Sequence, residues 1–249
     1  MNKLRIGLAT LLLSLACFGI QAQTKKPAPK KPVVKKTTAA KKAPAKPAVA
    51  KTIKPIPGVR VKITTDSGVI IVRLYDKTPK HRDNFIRLAN EHFFDSLIFH
   101  RVINGFMIQG GDPSSKNAPP GVMLGSGDVG YTIPAEFDTS LFHKKGALAA
   151  ARTNNPERAS SGCQFYIVQG KQYTDADLNM LELQMGIKFS PLKRKMYKTI
   201  GGTPFLDMNY TVFGEVESGL DIIDKIASVP TAPGDRPLGD VHMYIEVIK

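Results

Sequence analysis

The stretch FHRVINGFMIQGGDP, residues 99–113, sets one arginine and one glutamine among aromatic and β-branched residues that otherwise suit a barrel core. Arg101 brings a permanently charged planar donor, and Gln109 an amide that can both give and accept a hydrogen bond. If 106–109 is a strand, Met107 and Gln109 face the same way, so an apolar side chain and an amide share one surface. Other chemistries find no residues. The five histidines, His81, His92, His100, His143 and His242, are scattered, and none pairs at the spacing of a metal-binding helix or finger. Gly110-Gly111-Asp112 lacks the Lys-Ser/Thr ending of a phosphate loop, and no serine sits in a nucleophile elbow. Cys163, in the apolar context CQFYIV, reads as a buried inert thiol. What remains is a reaction that needs no nucleophile, no metal and no cofactor.

The elements that must position these residues begin at Pro55. VRVKITT (59–65) and VIIVRLY (69–75) are β-rich runs joined by Asp66-Ser67-Gly68, a hairpin signal. Thr78 is placed as an N-cap and Pro79 as a first helical residue. The helix they open carries Phe85, Leu88 and Phe93 near one face. Strands are predicted at 98–103, 106–109, 147–151, 164–168 and 210–216, with a glycine- and proline-rich loop from Gly110 to Gly130. A helix near Leu220–Ala227 precedes a closing strand at 241–249. Many short strands with two well-spaced helices predict a mainly-β fold, one closed antiparallel barrel in a single domain, 55–249.

One segment breaks the strand rhythm. TDAD at 174–177 opens like a capping box with Asp in place of Glu, and Leu178, Leu181 and Met185 share a face. Gly186 can end that helix, and Ser190-Pro191 starts another that stops at Gly201-Gly202. The spacing predicts a helical hairpin inserted at about 174–202.

The 249-residue chain has a net charge of +14, but the charge is concentrated. Lys3 and Arg5 carry two, and eleven lysines between Thr24 and Lys54 carry eleven more, leaving a net of one for the remainder. Residues 1–22 combine the early basic pair with an apolar run from Ile6 to Ile20, the layout of a secretory signal cleaved after Ala22. A membrane anchor, or lipid attachment at Cys17 within LSLAC, are the alternatives. Loss of Cys17 with the signal leaves Cys163 alone, which excludes an intramolecular disulfide. The Lys/Pro/Ala-rich tail, 23–54, has too little apolar surface to offset chain entropy and is expected to be disordered. It suits an electrostatic tether to anionic envelope surfaces or acidic clients, or a soluble spacer. Lysine runs neutralise phosphate without reading sequence, so no specific nucleic-acid partner is expected.

FHRVINGFMIQGGDP resembles the signature segment of the cyclophilins, peptidyl-prolyl cis/trans isomerases. GALAAARTNNPERASSGCQFYIV (146–168) and PFLDMNYTVFGEV (204–216) are similar to the second and third segments of that family, in its bacterial form. With TPKHRDNF the resemblance covers roughly Val59–Lys249 apart from the hairpin. It implies a closed eight-stranded antiparallel barrel capped by two helices, with Arg101 as the catalytic arginine and Gln109 holding substrate backbone near the rotating bond. It further implies a proline pocket of Phe106, Met107, Tyr166 and Leu206, with Phe205 and Tyr210 at the rim. Gln164 and the backbone around Ala151 and Arg152 would hold the peptide on the amino-terminal side of the proline.

Tyr166 stands where phenylalanine is usual and adds a hydroxyl that needs a partner. Phe205 and Tyr210 replace the tryptophan and histidine of many eukaryotic members, which implies weaker cyclosporin binding without loss of isomerisation. The implied partner is a proline-containing segment of an unfolded or folding client in the periplasm or cell envelope, met by a monomer without cofactor or metal. A non-catalytic proline-peptide binding module or chaperone is the alternative reading.

Overall fold

The computed structural model describes residues 58–248. The signal and tail expected at 1–22 and 23–54 therefore lie outside the described residues. The hairpin signal at Asp66–Gly68 joins β1 (Arg60–Thr65) to β2 (Gly68–Leu74), and α1 (Pro79–Asn90) follows. Residues 97–103 form two short pieces, β3 (Leu97–Ile98) and β4 (Arg101–Ile103), broken at Phe99-His100. The later strands are β5 (Met107–Gly110), β6 (Thr132–Ile133), β7 (Ala147–Ala150), β8 (Ser160–Ser161), β9 (Phe165–Val168), β10 (Val212–Ser218) and β11 (His242–Ile248). The hairpin helices are α2 (Asp175–Met185) and α3 (Pro191–Thr199), and α4 spans Leu220–Ala227.

Nine strands make one antiparallel sheet in the order β3-β11-β1-β2-β10-β7-β9-β5-β4. Its two edges, β3 and β4, are consecutive in the chain, so the sheet curls round and is closed covalently rather than by a ladder. This corrects the expected eight strands: the run 97–103 pairs with β11 through its first half and with β5 through its second. Counted as one bent strand, it restores eight. The β6–β8 ladder is separate and was not foreseen, because two-residue strands carry no periodicity.

Alternation places the core. Val61 and Ile63, Ile70 and Val72, Ile108, Leu148 and Ala150, Phe165 and Ile167, Phe213, and Met243 and Ile245 all join one buried cluster. Every long strand of the curled sheet contributes to it, so this cluster is the barrel interior. Phe85 from α1 meets Phe94, Phe165 and Phe213 there, and α4 adds Ile222, Ile223 and Ile226. A buried side chain of this kind contributes roughly 1.5–3 kcal/mol. The hairpin has a cluster of its own, in which Leu178, Phe189 and Tyr197 pack with Phe142. Its ends follow the sequence signals: a full capping box at Thr174/Asp177, and Gly186 in the left-handed region at φ 65°.

The start of α1 differs from expectation. Thr78 occupies the N-cap position but makes no side-chain cap bond. Glu136, from the loop before β7, instead accepts from the N–H of Lys80 at 3.1 Å and of His81 at 3.0 Å, and meets His81 Nδ1 at 2.8 Å. Burial opposes the Glu136 charge, but the His81 side-chain and backbone bonds hold its carboxyl below the usual range. The stabilisation is therefore complete above the unfolded value of about 4.3 and is lost as pH falls through the folded value. Glu136→Gln is expected to lower unfolding free energy by about 1–2 kcal/mol at pH 7 and to flatten the loss of stability below about pH 5. Denaturation curves from pH 3 to 7 check this, and a variant curve parallel to the wild type would refute the cap.

Candidate active site

The side chains that alternate away from the core make a second surface. Arg101 lies opposite Gln109, Gln109 opposite Tyr166, Tyr166 opposite Ala149, and Ala149 opposite Val212. Directly paired residues of a pleated sheet point to the same face, so this row crosses five strands on the outside of the barrel. The next row runs Ile103, Met107, Val168. Met107, Ala147, Ala149, Ala151, Tyr166, Val168 and Val212 form a buried cluster on this face, with Phe106, Leu206 and Tyr210 packed against it.

Nine of the eleven expected site residues line a single cavity of about 400 Å³: Arg101, Phe106, Met107, Gln109, Ala151, Arg152, Tyr166, Leu206 and Tyr210. Phe205 sits at its edge, 41% exposed and stacked on Phe106 at 5.8 Å between ring centroids. Gln164 lines an adjoining cavity of about 580 Å³ that shares Gln109, Ala151 and Arg152 with the first.

The polar groups are held by specific partners. Arg101 Nε donates to Asp235 Oδ2 at 3.3 Å, which tethers a half-exposed guanidinium at the cavity mouth. Gln109 Nε2 donates to Gln164 Oε1 at 3.0 Å, and Gln164 Nε2 donates to the carbonyls of Gly125 at 3.0 Å and Gly127 at 2.7 Å. Arg152 lies 4.7 Å over the Tyr210 ring while its Nε donates to the Asn209 carbonyl at 2.9 Å. The GGD of the signature is structural. Gly111 has φ 89°, and a Cβ there would lie 2.2 Å from the Cys163 carbonyl oxygen. Asp112 is fully buried and accepts from the N–H of Ser114 and of Gly125, fixing the loop that forms one wall. Burial pushes the Cys163 thiol up to about 11, in keeping with an inert thiol.

The family model for cyclophilin type peptidyl-prolyl cis-trans isomerase/CLD matches residues 60–247. The chain belongs to this family. A Staphylococcus saprophyticus protein named as a candidate peptidyl-prolyl cis-trans isomerase is 34% identical over 77% of this chain and 92% of its own length. A candidate bifunctional phosphatase/peptidyl-prolyl cis-trans isomerase of Streptococcus pyogenes is 38% identical over 77% of this chain, which spans only 38% of that longer protein. Two crystal structures of a cyclophilin type isomerase from Cryptosporidium parvum share the fold at 21% identity. One has a TM-score of 0.56 over 77% of this chain and 98% of its own. The other, determined in the presence of the dipeptide Ala-Pro, has a TM-score of 0.55 over 76% and 99%.

Within this cyclophilin frame the Tyr166 hydroxyl has found its partner. It meets His143 Nε2 at 3.0 Å, and His143 Nδ1 meets Asp207 Oδ1 at 3.0 Å. Asp207 also accepts from the His143 N–H at 3.0 Å, from Tyr197 OH at 2.9 Å and from Lys193 Nζ at 3.0 Å. Burial opposes the Asp207 charge, but these His143 bonds and the Lys193 ammonium hold its carboxyl below the usual range. With Asp207 ionised, Nδ1 is the nitrogen that donates to it, and the Tyr166 hydroxyl partners the other ring nitrogen. Tyr197 and Lys193 belong to α3, so the inserted hairpin reaches the cavity floor through a buried relay.

Sequence reasoning missed Asp235, His143, Asp207, Leu124 and the buried His100, which also lines the cavity. The only available signal was the Tyr166 hydroxyl, whose need for a partner pointed to a polar group without naming it. Tyr166→Phe is expected to cost about 1–3 kcal/mol in chemical denaturation, because His143 Nε2 is left buried without its hydrogen-bond partner. Asp207→Asn is expected to cost more, about 3–5 kcal/mol, since it leaves the Lys193 charge uncompensated. Equal stability for Tyr166→Phe and wild type would show the relay to be dispensable.

Proposed function

We propose that this cyclophilin accelerates rotation about X-Pro bonds in folding client proteins of the cell envelope, with Arg101 as its catalytic residue. The observation that carries the reading is the pairing of Arg101 with Gln109 across β4 and β5, at the mouth of a cavity that Phe106, Met107, Tyr166 and Leu206 line and that is large enough for a prolyl ring.

Rotation about X-Pro is slow because the amide is a partial double bond, with a barrier of about 20 kcal/mol. As the bond twists, the prolyl nitrogen pyramidalises and regains a lone pair that accepts a hydrogen bond. A guanidinium aimed at that nitrogen binds the twisted state better than either planar state. Asp235 fixes Arg101 through Nε, and among the described residues the terminal guanidinium nitrogens make no hydrogen bond. Met107, Tyr166 and Leu206 seat the ring, and Phe106 with its stacked partner Phe205 shields one side. Gln109 presents its amide to the backbone beside the rotating bond. The backbone of Ala151 and Arg152 and the neighbouring Gln164 hold the chain on the amino-terminal side of the proline. A Cryptosporidium parvum isomerase of the same fold was crystallised in the presence of the dipeptide Ala-Pro, a minimal peptide of this chemistry.

Export rests on the sequence: the basic, apolar and small-residue order of 1–22 directs the chain across the inner membrane, with cleavage after Ala22. The lysine-rich residues 23–54 then give a monomeric enzyme an electrostatic hold on anionic envelope surfaces. Prolyl isomerisation limits folding in that compartment as elsewhere, which gives the activity its use.

The test is magnetisation-exchange NMR on a short X-Pro peptide with wild type and Arg101→Ala. Wild type is expected to accelerate exchange and the variant to lose roughly a hundredfold or more, the scale for one preorganised donor. Peptide binding without acceleration by the wild type would make the barrel a binding module.

A further inference from the structure

A second cavity, of about 410 Å³, opens beside the first and shares His100, Leu124 and Gly234 with it. Two loops build it, 118–124 and 230–240. Its walls are largely apolar, and three large side chains on them stand exposed: Met123 at 78%, Leu238 at 70% and Val122 at 45%. Exposed apolar groups gathered around a concavity mark a contact surface rather than a random surface residue.

The chamber is built in advance of any ligand. Arg236, only 7% exposed, donates to the carbonyls of Pro119 at 2.9 Å, Val122 at 3.1 Å and Ala118 at 3.2 Å. It also pairs with both oxygens of Asp240 at 3.0 Å. One buried guanidinium thus ties the two loops together, and its charge is matched within the wall. Prolines 120, 233 and 237 stiffen the same segments. The partition from the first cavity is His100, whose ring burial holds near pKa 4 and hence neutral at physiological pH. The second loop also supplies Asp235, the tether of Arg101, so the chamber adjoins the catalytic arginine directly.

We propose that this chamber is a client subsite that takes a large aliphatic or aromatic side chain from the peptide being isomerised, on the side of the proline away from Ala151 and Arg152. The occupant follows from continuity with the candidate active site, on whose reading the proposal rests. A chain seated by its proline in the first cavity passes the shared wall at Leu124 and Gly234. An extended chain advances roughly 3.3 Å per residue, so the side chain two or three positions from the proline reaches the chamber. Lysine- and alanine-rich segments such as residues 24–54 offer it little to bury. The enzyme then favours prolines that lie near the future cores of its clients.

The test is a leucine scan through positions two and three on each side of proline, in a peptide otherwise built from serine and alanine. Leucine on the carboxyl-terminal flank only is expected to lower KM roughly fivefold or more against serine with kcat unchanged, and to shift the Met123 methyl signal in NMR; the same effect from the amino-terminal flank overturns the placement. Met123→Ser with Leu238→Ser is expected to erase that preference while leaving kcat/KM for a minimal Ala-Pro tetrapeptide within twofold. Equal KM for leucine and serine peptides, or a Met123 methyl unmoved by the leucine peptide, overturns the subsite. A dimer that the double variant converts to monomer, with a flat scan, makes the occupant a second copy and overturns it too. Failure to accelerate even the tetrapeptide is a separate result that strikes the isomerase reading, and the Met123 signal still reports on the chamber.

Discussion

The candidate site depends on one register. Arg101 faces Gln109, Gln109 faces Tyr166 and Tyr166 faces Ala149 because β4, β5, β9 and β7 pair without a slip at those positions. A shift of one residue in any ladder would turn the charged and amide groups into the barrel and the core residues out to water. The interior enforces the register: Val102, Ile108, Phe165, Ile167 and Leu148 interdigitate on the opposite face of the same strands. Stability and chemistry thus share strands and divide them by parity. Alanines at 147, 149 and 151 keep the outer face low where the cavity must open, while Leu148 between them fills the core.

The second constraint is a buried carboxylate. Asp207 follows the turn that carries Phe205 and Leu206, and it gathers donors from the loop at His143 and from α3. Such a charge is costly to bury and is kept only where its partners are fixed. Fixing them also fixes the turn, and with it the two side chains at the edge of the proline pocket. The Tyr166 hydroxyl is then the near end of a network that begins in the hairpin. A phenylalanine there would leave a buried nitrogen of His143 without its partner, which explains physically why tyrosine suits this chain.

Much of this was legible because it is local. Period-two alternation marked the strands and separated Met107 and Gln109 from Ile108, and the Thr174/Asp177 capping box and Gly186 marked the ends of α2 within a residue. The family resemblance brought nine of the eleven expected residues into one cavity. What stayed hidden joins residues far apart along the chain. Glu136 caps a helix 55 residues before it, and Asp235 holds an arginine 134 residues before it. No composition or spacing announces such pairs. The break at Phe99-His100 was also invisible, since 98–103 reads as one strand and bends only because its halves serve opposite edges of the sheet.

The hairpin shows how a large addition leaves that register intact. Lys171 and Gly202 exchange backbone hydrogen bonds at 3.3 and 3.0 Å, so the insertion leaves and re-enters through a narrow neck. Gly202 is needed there: a Cβ would lie 2.2 Å from the His143 carbonyl oxygen, in a backbone with φ 154°. Closing a longer loop costs little extra entropy once its ends are pinned. The segment beyond the neck has its own apolar cluster around Tyr197, to which the rest of the domain lends Phe142. Its deep connections back are the edge-on packing of Tyr197 against Phe142, 5.6 Å between ring centroids, and the Tyr197 and Lys193 contacts with Asp207. An insertion that only had to be tolerated would need no such contact, because a buried charge is an expensive way to attach a surface hairpin. Its placement next to the pocket turn fits an element that stiffens the site rather than one that merely lengthens a loop.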